Sequence, residues 1–287
     1  MTKIYSRETK DFYEQKESGN LALKFLYKTI LGRLILKLLI NPSISKISGK
    51  YNDSKASKRK IKKFIKKNNI KMEDFIEEEY KNFNDFFTRT IKEEKRQMSH
   101  NPKRFISPAD SKVLAYDITE DLMLTIKDST YSLNELVNNE EDLSEFKNGK
   151  CLVFRLCVDD YHHYCYPDSV KLLKHNFIEG KLHTVRSISS KYKIYKENQR
   201  EYSIIETDNF DKIIYIEVGA MMVGKIVNNI KEEFTKGEEK GYFKLGGSTI
   251  VILLKENQII LDKDIINNSK NDIETEVKYR ETIGAKK

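Results

Sequence analysis

The sequence predicts an α+β protein, helical over about residues 1–100 and β-rich from 101 to 287. Three observations carry that expectation. The strongly apolar stretch Leu21 to Ile40 ends in Asn41-Pro42, as a helix stop does. A lysine-dense run from Lys55 to Asn69 sets Ile61, Phe64 and Ile65 at helical spacing. From Ile106 onward the pattern changes to short apolar or alternating runs with turn residues between them, KVLAYDI, LMLTIK, CLVFRLCV, IIYIEV and TIVILLKEN, which read as strands.

The first of these elements approaches the length of a bilayer span. It nevertheless carries Lys24, Lys28, Arg33 and Lys37, spaced four, five and four apart, which at about 100° per residue form two pairs of neighbours on a helix surface. Spanning would bury some of them at roughly 2.5–3.5 kcal/mol each, so a helix lying in the plane of the interface is the cheaper state. A helix docked on the protein's own core carries the same mixture of cations and apolar residues, and that alternative stays open. The second element holds Lys58, Arg59, Lys60, Lys62, Lys63, Lys66 and Lys67. It is either a solvated face or an attraction for anionic lipid, worth about 1 kcal/mol per charge near the surface. Among the strands, Leu133 to Phe146 reads as a helix, and Tyr279 to Lys287 as a polar tail. The absence of regular strand–helix alternation argues against a parallel α/β fold.

Composition narrows the partners. A formal charge of +8 favours contact with something anionic. Nucleic acid ranks lowest, because the basic runs lack interleaved stacking aromatics, zinc-ligand spacing and a groove-reading motif. Cys151, Cys157 and Cys165 are odd in number and lack a CxxC spacing, so neither a disulfide framework nor a metal site is expected. The first 20 residues show no secretory signal of the usual form.

The most informative segment runs from Lys236 to Leu254, KGEEKGYFKLGGSTIVILL, where two glycines precede a Ser-Thr pair that opens an apolar strand. Taken alone, Gly246-Gly247 reads first as a hairpin turn. A Gly-Ser bond in a strained turn also has a chemical use. The missing side chain admits unusual backbone angles, so Ser248 Oγ can attack the preceding carbonyl; the resulting ester can eliminate and leave dehydroalanine, then a pyruvoyl group.

The surrounding words favour the second reading. GYFKLGGSTIV, Gly241 to Val251, resembles the self-cleavage site of phosphatidylserine decarboxylases. Further family-like phrases follow in order: FNDFFTR (Phe83 to Arg89), SPADSKV (Ser107 to Val113), IKDSTYSLNEL (Ile126 to Leu136), DYHHYCYP (Asp160 to Pro167), KENQR (Lys196 to Arg200) and EVGAMMVGKI (Glu217 to Ile226). The resemblance covers roughly residues 80 to 254.

By that resemblance the chain is cut between Gly247 and Ser248 into a large chain, 1–247, and a small chain, 248–287, headed by a covalent pyruvoyl group derived from Ser248. Asp110 matches the acidic member of the relay that drives self-cleavage; on its own it is an Asp in a turn after Pro108. The histidine segment departs from the family pattern Asp-Tyr-His-Arg-x-His-x-Pro: His162 keeps the first histidine, His163 is extra, and Cys165 stands where the relay base is often found. A thiol of pKa about 8.5 is a poor base at neutral pH unless activated. The reading therefore favours His162, with His163 and an activated Cys165 as alternatives. Ser111 and Asp128 replace family glycines in two turns.

The resemblance further implies decarboxylation of phosphatidylserine to phosphatidylethanolamine through a Schiff base with the pyruvoyl group, and His162 as proton donor. It implies no metal and no nucleic acid. The helical region becomes membrane-facing, peripheral on the cytoplasmic face of the cell membrane, and the β-rich part becomes the catalytic domain. A homodimer is expected only by analogy. Two other readings remain: a silent membrane-binding homologue that does not mature, and a pyruvoyl decarboxylase of a soluble amino acid.

Overall fold

A computed structural model of the chain describes residues 2–15, 20–126, 129–184, 194–220, 225–245 and 248–287. Among them a ten-stranded sheet runs in the order Glu233–Phe234, Val170–Ile178, Arg200–Thr207, Asp211–Val218, Ser248–Leu254, Lys150–Leu156, Ser111–Asp117, Glu274–Val277, Thr2–Ser6, Asp11–Gln15. Every pairing is antiparallel except that of Thr2–Ser6 with Glu274–Val277. The strand Ser248–Leu254 lies in the middle and is buried throughout. Its sequence explains why: a continuous run of β-branched and Leu residues suits a strand covered on both faces. Each fully buried Ile, Val or Leu there contributes about 1.5–3 kcal/mol.

The front of the chain supplies five α-helices, α1 (Asn20–Lys28), α2 (Ile30–Leu39), α3 (Pro42–Asn52), α4 (Ile61–Asn68) and α5 (Phe83–Phe87). The apolar stretch is thus two helices, broken at Thr29. That residue is extended, with φ −106° and ψ 155°, and caps α2 by accepting the Gly32 N–H. Among the described residues no helix is long and apolar enough to cross a membrane. Tyr27, Leu36 and Ile40 pack together, while Ile30, Leu34 and Leu38, spaced one turn apart, stay 57–79% exposed. In the lysine run, Ile61, Phe64 and Ile65 pack on Phe83, Phe86 and Phe87, so α4 docks through its apolar face and leaves its cations outside.

Three expectations need correction. Residues 2–15 are not helical but a hairpin on the sheet edge, with Ile4 fully buried; the partner strand Glu274–Val277 is too distant along the chain for local pattern to announce it. The helix expected over Leu133 to Phe146 spans only Leu133–Leu136, because Asn138 and Asn139 take φ of 59° and 58° and end it. The last residues are not a polar tail: Thr282–Lys286 pairs with Ile259–Leu261 and with Arg104–Ile106, burying Ile283. A second small sheet sets Glu239–Lys244 between Lys225–Asn228 and His163–Cys165. It joins the histidine segment to the chain that leads into Ser248.

Candidate active site

Ser248 opens the central strand opposite Leu156. It is fully buried, and its Oγ has no hydrogen-bond partner among the described residues. A buried hydroxyl left unpaired costs about 1–3 kcal/mol, which a purely structural serine would not be expected to retain. Thr249 Oγ1 is in the same state. Gly246 and Gly247, with the expected cleavage position, lie outside the described residues. Just before them Leu245 has φ of 42°, a left-handed backbone that costs a branched residue roughly 1–2 kcal/mol. The leucine packs against the Phe83, Phe86 and Phe87 cluster, and that packing holds it there.

Sheet register brings Asp110 to the same end. Thr249, Arg155 and Lys112 stand side by side across three strands, so Ser248 and Asp110 lie one and two residues further along their parallel-running strands. Their backbones are two strand spacings apart, about 10 Å. The Asp110 carboxylate accepts from Arg96 at 2.9 and 2.6 Å and from the Tyr279 N–H at 2.6 Å. Burial pushes this carboxyl up, but the Arg96 bonds and charge, with Lys278 and the Tyr279 amide, outweigh burial and hold it below its ordinary value. Ser111, in the family glycine position, turns its hydroxyl onto the Ala109 carbonyl at 3.2 Å. Asp128 lies outside the described residues.

The histidines follow from the same strand end. His162 is fully buried, its Nδ1 2.8 Å from the Asp160 carbonyl and its ring 4.4 Å from that of Phe87. The Phe243 N–H donates to the His162 carbonyl at 3.0 Å, tying the two segments together. His163 is engaged through both ring nitrogens, with Glu239 at 2.8 Å and the Thr88 carbonyl at 3.0 Å. It stacks between Tyr161 and Tyr242. Cys165 is fully buried beside the Ser107 carbonyl, and burial pushes its thiol up to about 12. That is far from the range of a base working at neutral pH.

Sequence reasoning missed several neighbours. Arg96 and Tyr279, which hold Asp110, carried no motif; Tyr279 fell in the supposed tail. Glu217 and Lys240 form a fully buried ion pair of 2.5 Å that ties Glu239–Lys244 of the small sheet to Asp211–Val218, the strand beside Ser248–Leu254 in the large one. Glu217 sits in the EVGA phrase quoted above, and that was the available signal.

The phosphatidylserine decarboxylase family model matches residues 83–285. Phosphatidylserine decarboxylase proenzyme 2 of Clostridium acetobutylicum is 52% identical over 283 residues, 98% of this chain and 97% of that protein. The phosphatidylserine decarboxylase proenzyme of Clostridium tetani is 40% identical over 293 residues, 100% of this chain and 99% of that protein. That of Clostridium beijerinckii is 39% identical over 294 residues, again 100% and 99%.

Proposed function

The chain belongs to the phosphatidylserine decarboxylase family, and we propose that its decarboxylation of phosphatidylserine runs on a pyruvoyl group that it makes from its own Ser248. One observation carries this reading: a buried serine hydroxyl, without a hydrogen-bond partner among the described residues, at the head of the central strand, behind two glycines in sequence and a left-handed Leu245. These residues fit the group. A pyruvoyl carbonyl made there is covalently fixed, shielded from water, and supplies an electron sink for a bound substrate amine.

The chain's own part begins with self-cleavage. Ser248 Oγ attacks the Gly247 carbonyl carbon, the Gly–Ser C–N bond breaks, and the freed nitrogen takes the hydroxyl proton, leaving an ester. Removal of the Cα proton of residue 248 expels the 1–247 chain as a Gly247 carboxylate. Water then displaces the nitrogen as ammonia. His162 moves the protons, since the thiol of Cys165 stays protonated at neutral pH and His163 is held on both sides. Asp110, kept ionised by Arg96, supplies the negative charge that favours a protonated intermediate of the relay. In the decarboxylation His162 returns a proton to the product. The 248–287 chain stays in place because Ser248–Leu254 is hydrogen-bonded on both sides.

The substrate is a lipid, and the exposed Ile30, Leu34 and Leu38 of α2, flanked by Lys24, Lys28, Arg33 and Lys37, give residues 1–100 a face suited to lie on the cytoplasmic side of an anionic bilayer. Residues 101–287 then form the catalytic domain, and a homodimer remains compatible with this arrangement. The test is carbonyl trapping. Phenylhydrazine should abolish carbon dioxide release from phosphatidylserine vesicles while leaving the fold intact; activity that survives saturating reagent would remove the pyruvoyl reading, and equal activity on free serine would remove the lipid one.

A further inference from the structure

Arg89, the arginine of the FFTR phrase, has no part in the chemistry above. It is 2% exposed, and its guanidinium lies 4.1 Å from the ring centre of Phe75 and 4.9 Å from that of Phe86. Among the described residues its hydrogen bonds are long ones from Nη1 to the Phe86 and Phe87 carbonyls, 3.4 and 3.5 Å, while Nε donates to nothing. It forms no ion pair among them. A buried charge without a counter-charge costs several kcal/mol, and burial draws this guanidinium down to about 10.

Arg200 shows what a structural buried arginine looks like in this same protein. It is equally buried and also drawn down to about 10. Yet it donates to the carbonyls of Leu136, Lys196, Asn198 and Glu135 at 2.7, 2.7, 2.9 and 2.8 Å. Arg89 has no such shell. What it has is a cavity of about 950 Å³ beside it. On the same wall Arg96 and Lys112 are each matched by a carboxylate, Asp110 and Asp160, both at 2.6 Å. Among the described residues, Arg89 is a buried cation on that wall without a carboxylate partner.

We propose that this cavity binds a phosphate oxyanion, with Arg89 as its counter-charge. A planar guanidinium fork matches tetrahedral phosphate oxygens, and the cavity has the size of a small-molecule site. Two sources share that chemistry: the phosphodiester of a lipid headgroup and free phosphate. The first rests on the reading of the preceding subsection; the second does not.

Inorganic phosphate is titrated calorimetrically into the wild-type protein, Arg89→Lys and Arg89→Gln, against chloride at matched ionic strength, a measurement that needs no pyruvoyl group. The wild type should bind one phosphate saturably, and Arg89→Gln should bind it at least about tenfold more weakly, one charged hydrogen bond's worth. Arg89→Lys should fall between them. With phosphatidylserine vesicles, a raised KM at unchanged kcat in Arg89→Gln, relieved in part in Arg89→Lys, assigns the oxyanion to the lipid; an unchanged KM alongside lost phosphate binding assigns it to free phosphate. No saturable heat from the wild type at tens of millimolar phosphate, or equal binding by a folded Arg89→Gln, overturns the proposal.

Discussion

The Phe243 N–H donates to the His162 carbonyl at 3.0 Å, so the histidine is fixed to the chain five residues before Ser248. Movement of either segment carries the other. The tie continues the pairing of His163–Cys165 with Glu239–Lys244, so the whole histidine segment is held to the chain that leads into the serine.

The first prediction separates His162 from Cys165. His162→Ala should slow self-cleavage by 10²-fold or more, the scale of one general base. Cys165→Ala should cleave at close to the wild-type rate, since a thiol raised to about 12 by burial carries no base function at neutral pH. Cleavage is followed on gels during cell-free synthesis. A Cys165→Ala chain that stays whole, beside a His162→Ala chain that matures, would reverse the assignment.

Asp110 yields a pH dependence. Its carboxyl is depressed in the fold, with the Arg96 bonds and charge, Lys278 and the Tyr279 amide outweighing burial. A depressed acid contributes stability that is present above its unfolded value, about pH 4, and is lost as pH falls through its folded value. Asp110→Asn should therefore lower the urea midpoint at pH 7, by an amount equivalent to about 3–5 kcal/mol because Arg96 loses its partner. Below pH 4 its stability should decline less steeply than the wild type's. Parallel acid limbs in the two proteins would show that the pair is not ionised as described.

Leu245 offers a sign reversal. Replacing alanine by glycine ordinarily destabilises by about 0.4–1 kcal/mol. At φ of 42° the backbone preference runs the other way, so Leu245→Gly should be at least as stable as Leu245→Ala, both measured in a Ser248→Ala background to keep one covalent species. Leu245→Ala being the more stable by the usual margin would mean that the left-handed turn is not kept in solution.

The α2 face is tested by sedimentation with anionic vesicles. Leu34→Glu with Leu38→Glu removes two exposed leucines whose burial in lipid is worth about 1.5–3 kcal/mol each, so binding should fall by more than tenfold and weaken further with salt. Unaltered sedimentation would move the docking face elsewhere.

Much of this was legible in the chain. STIVILL, CLVFRL and IIYIEV announced central strands because both faces of that sheet are covered, and each word is predominantly apolar, interrupted only by Arg155 and Glu217 and opened by Ser248-Thr249. The glycine pair before Ser248 drew attention to that bond, although Gly246 and Gly247 lie outside the described residues. The residues that tune the site were silent because they arrive through long-range pairing: Arg96 reaches Asp110 from a loop, and Tyr279 does so because the last strands fold back beside it. Thr29 shows a local limit of the same kind. Hydropathy ran through it, whereas one side-chain oxygen capping Gly32 was enough to split the helix.

The central claim is that Ser248 becomes the pyruvoyl group, and denaturing intact-mass measurement of the purified chain beside Ser248→Ala addresses it most directly. The account predicts two wild-type species split between Gly247 and Ser248, the 248–287 species lighter by one ammonia than its encoded peptide, and an uncut variant. A single full-length mass from folded wild-type protein would contradict it and leave a membrane-binding homologue that does not mature.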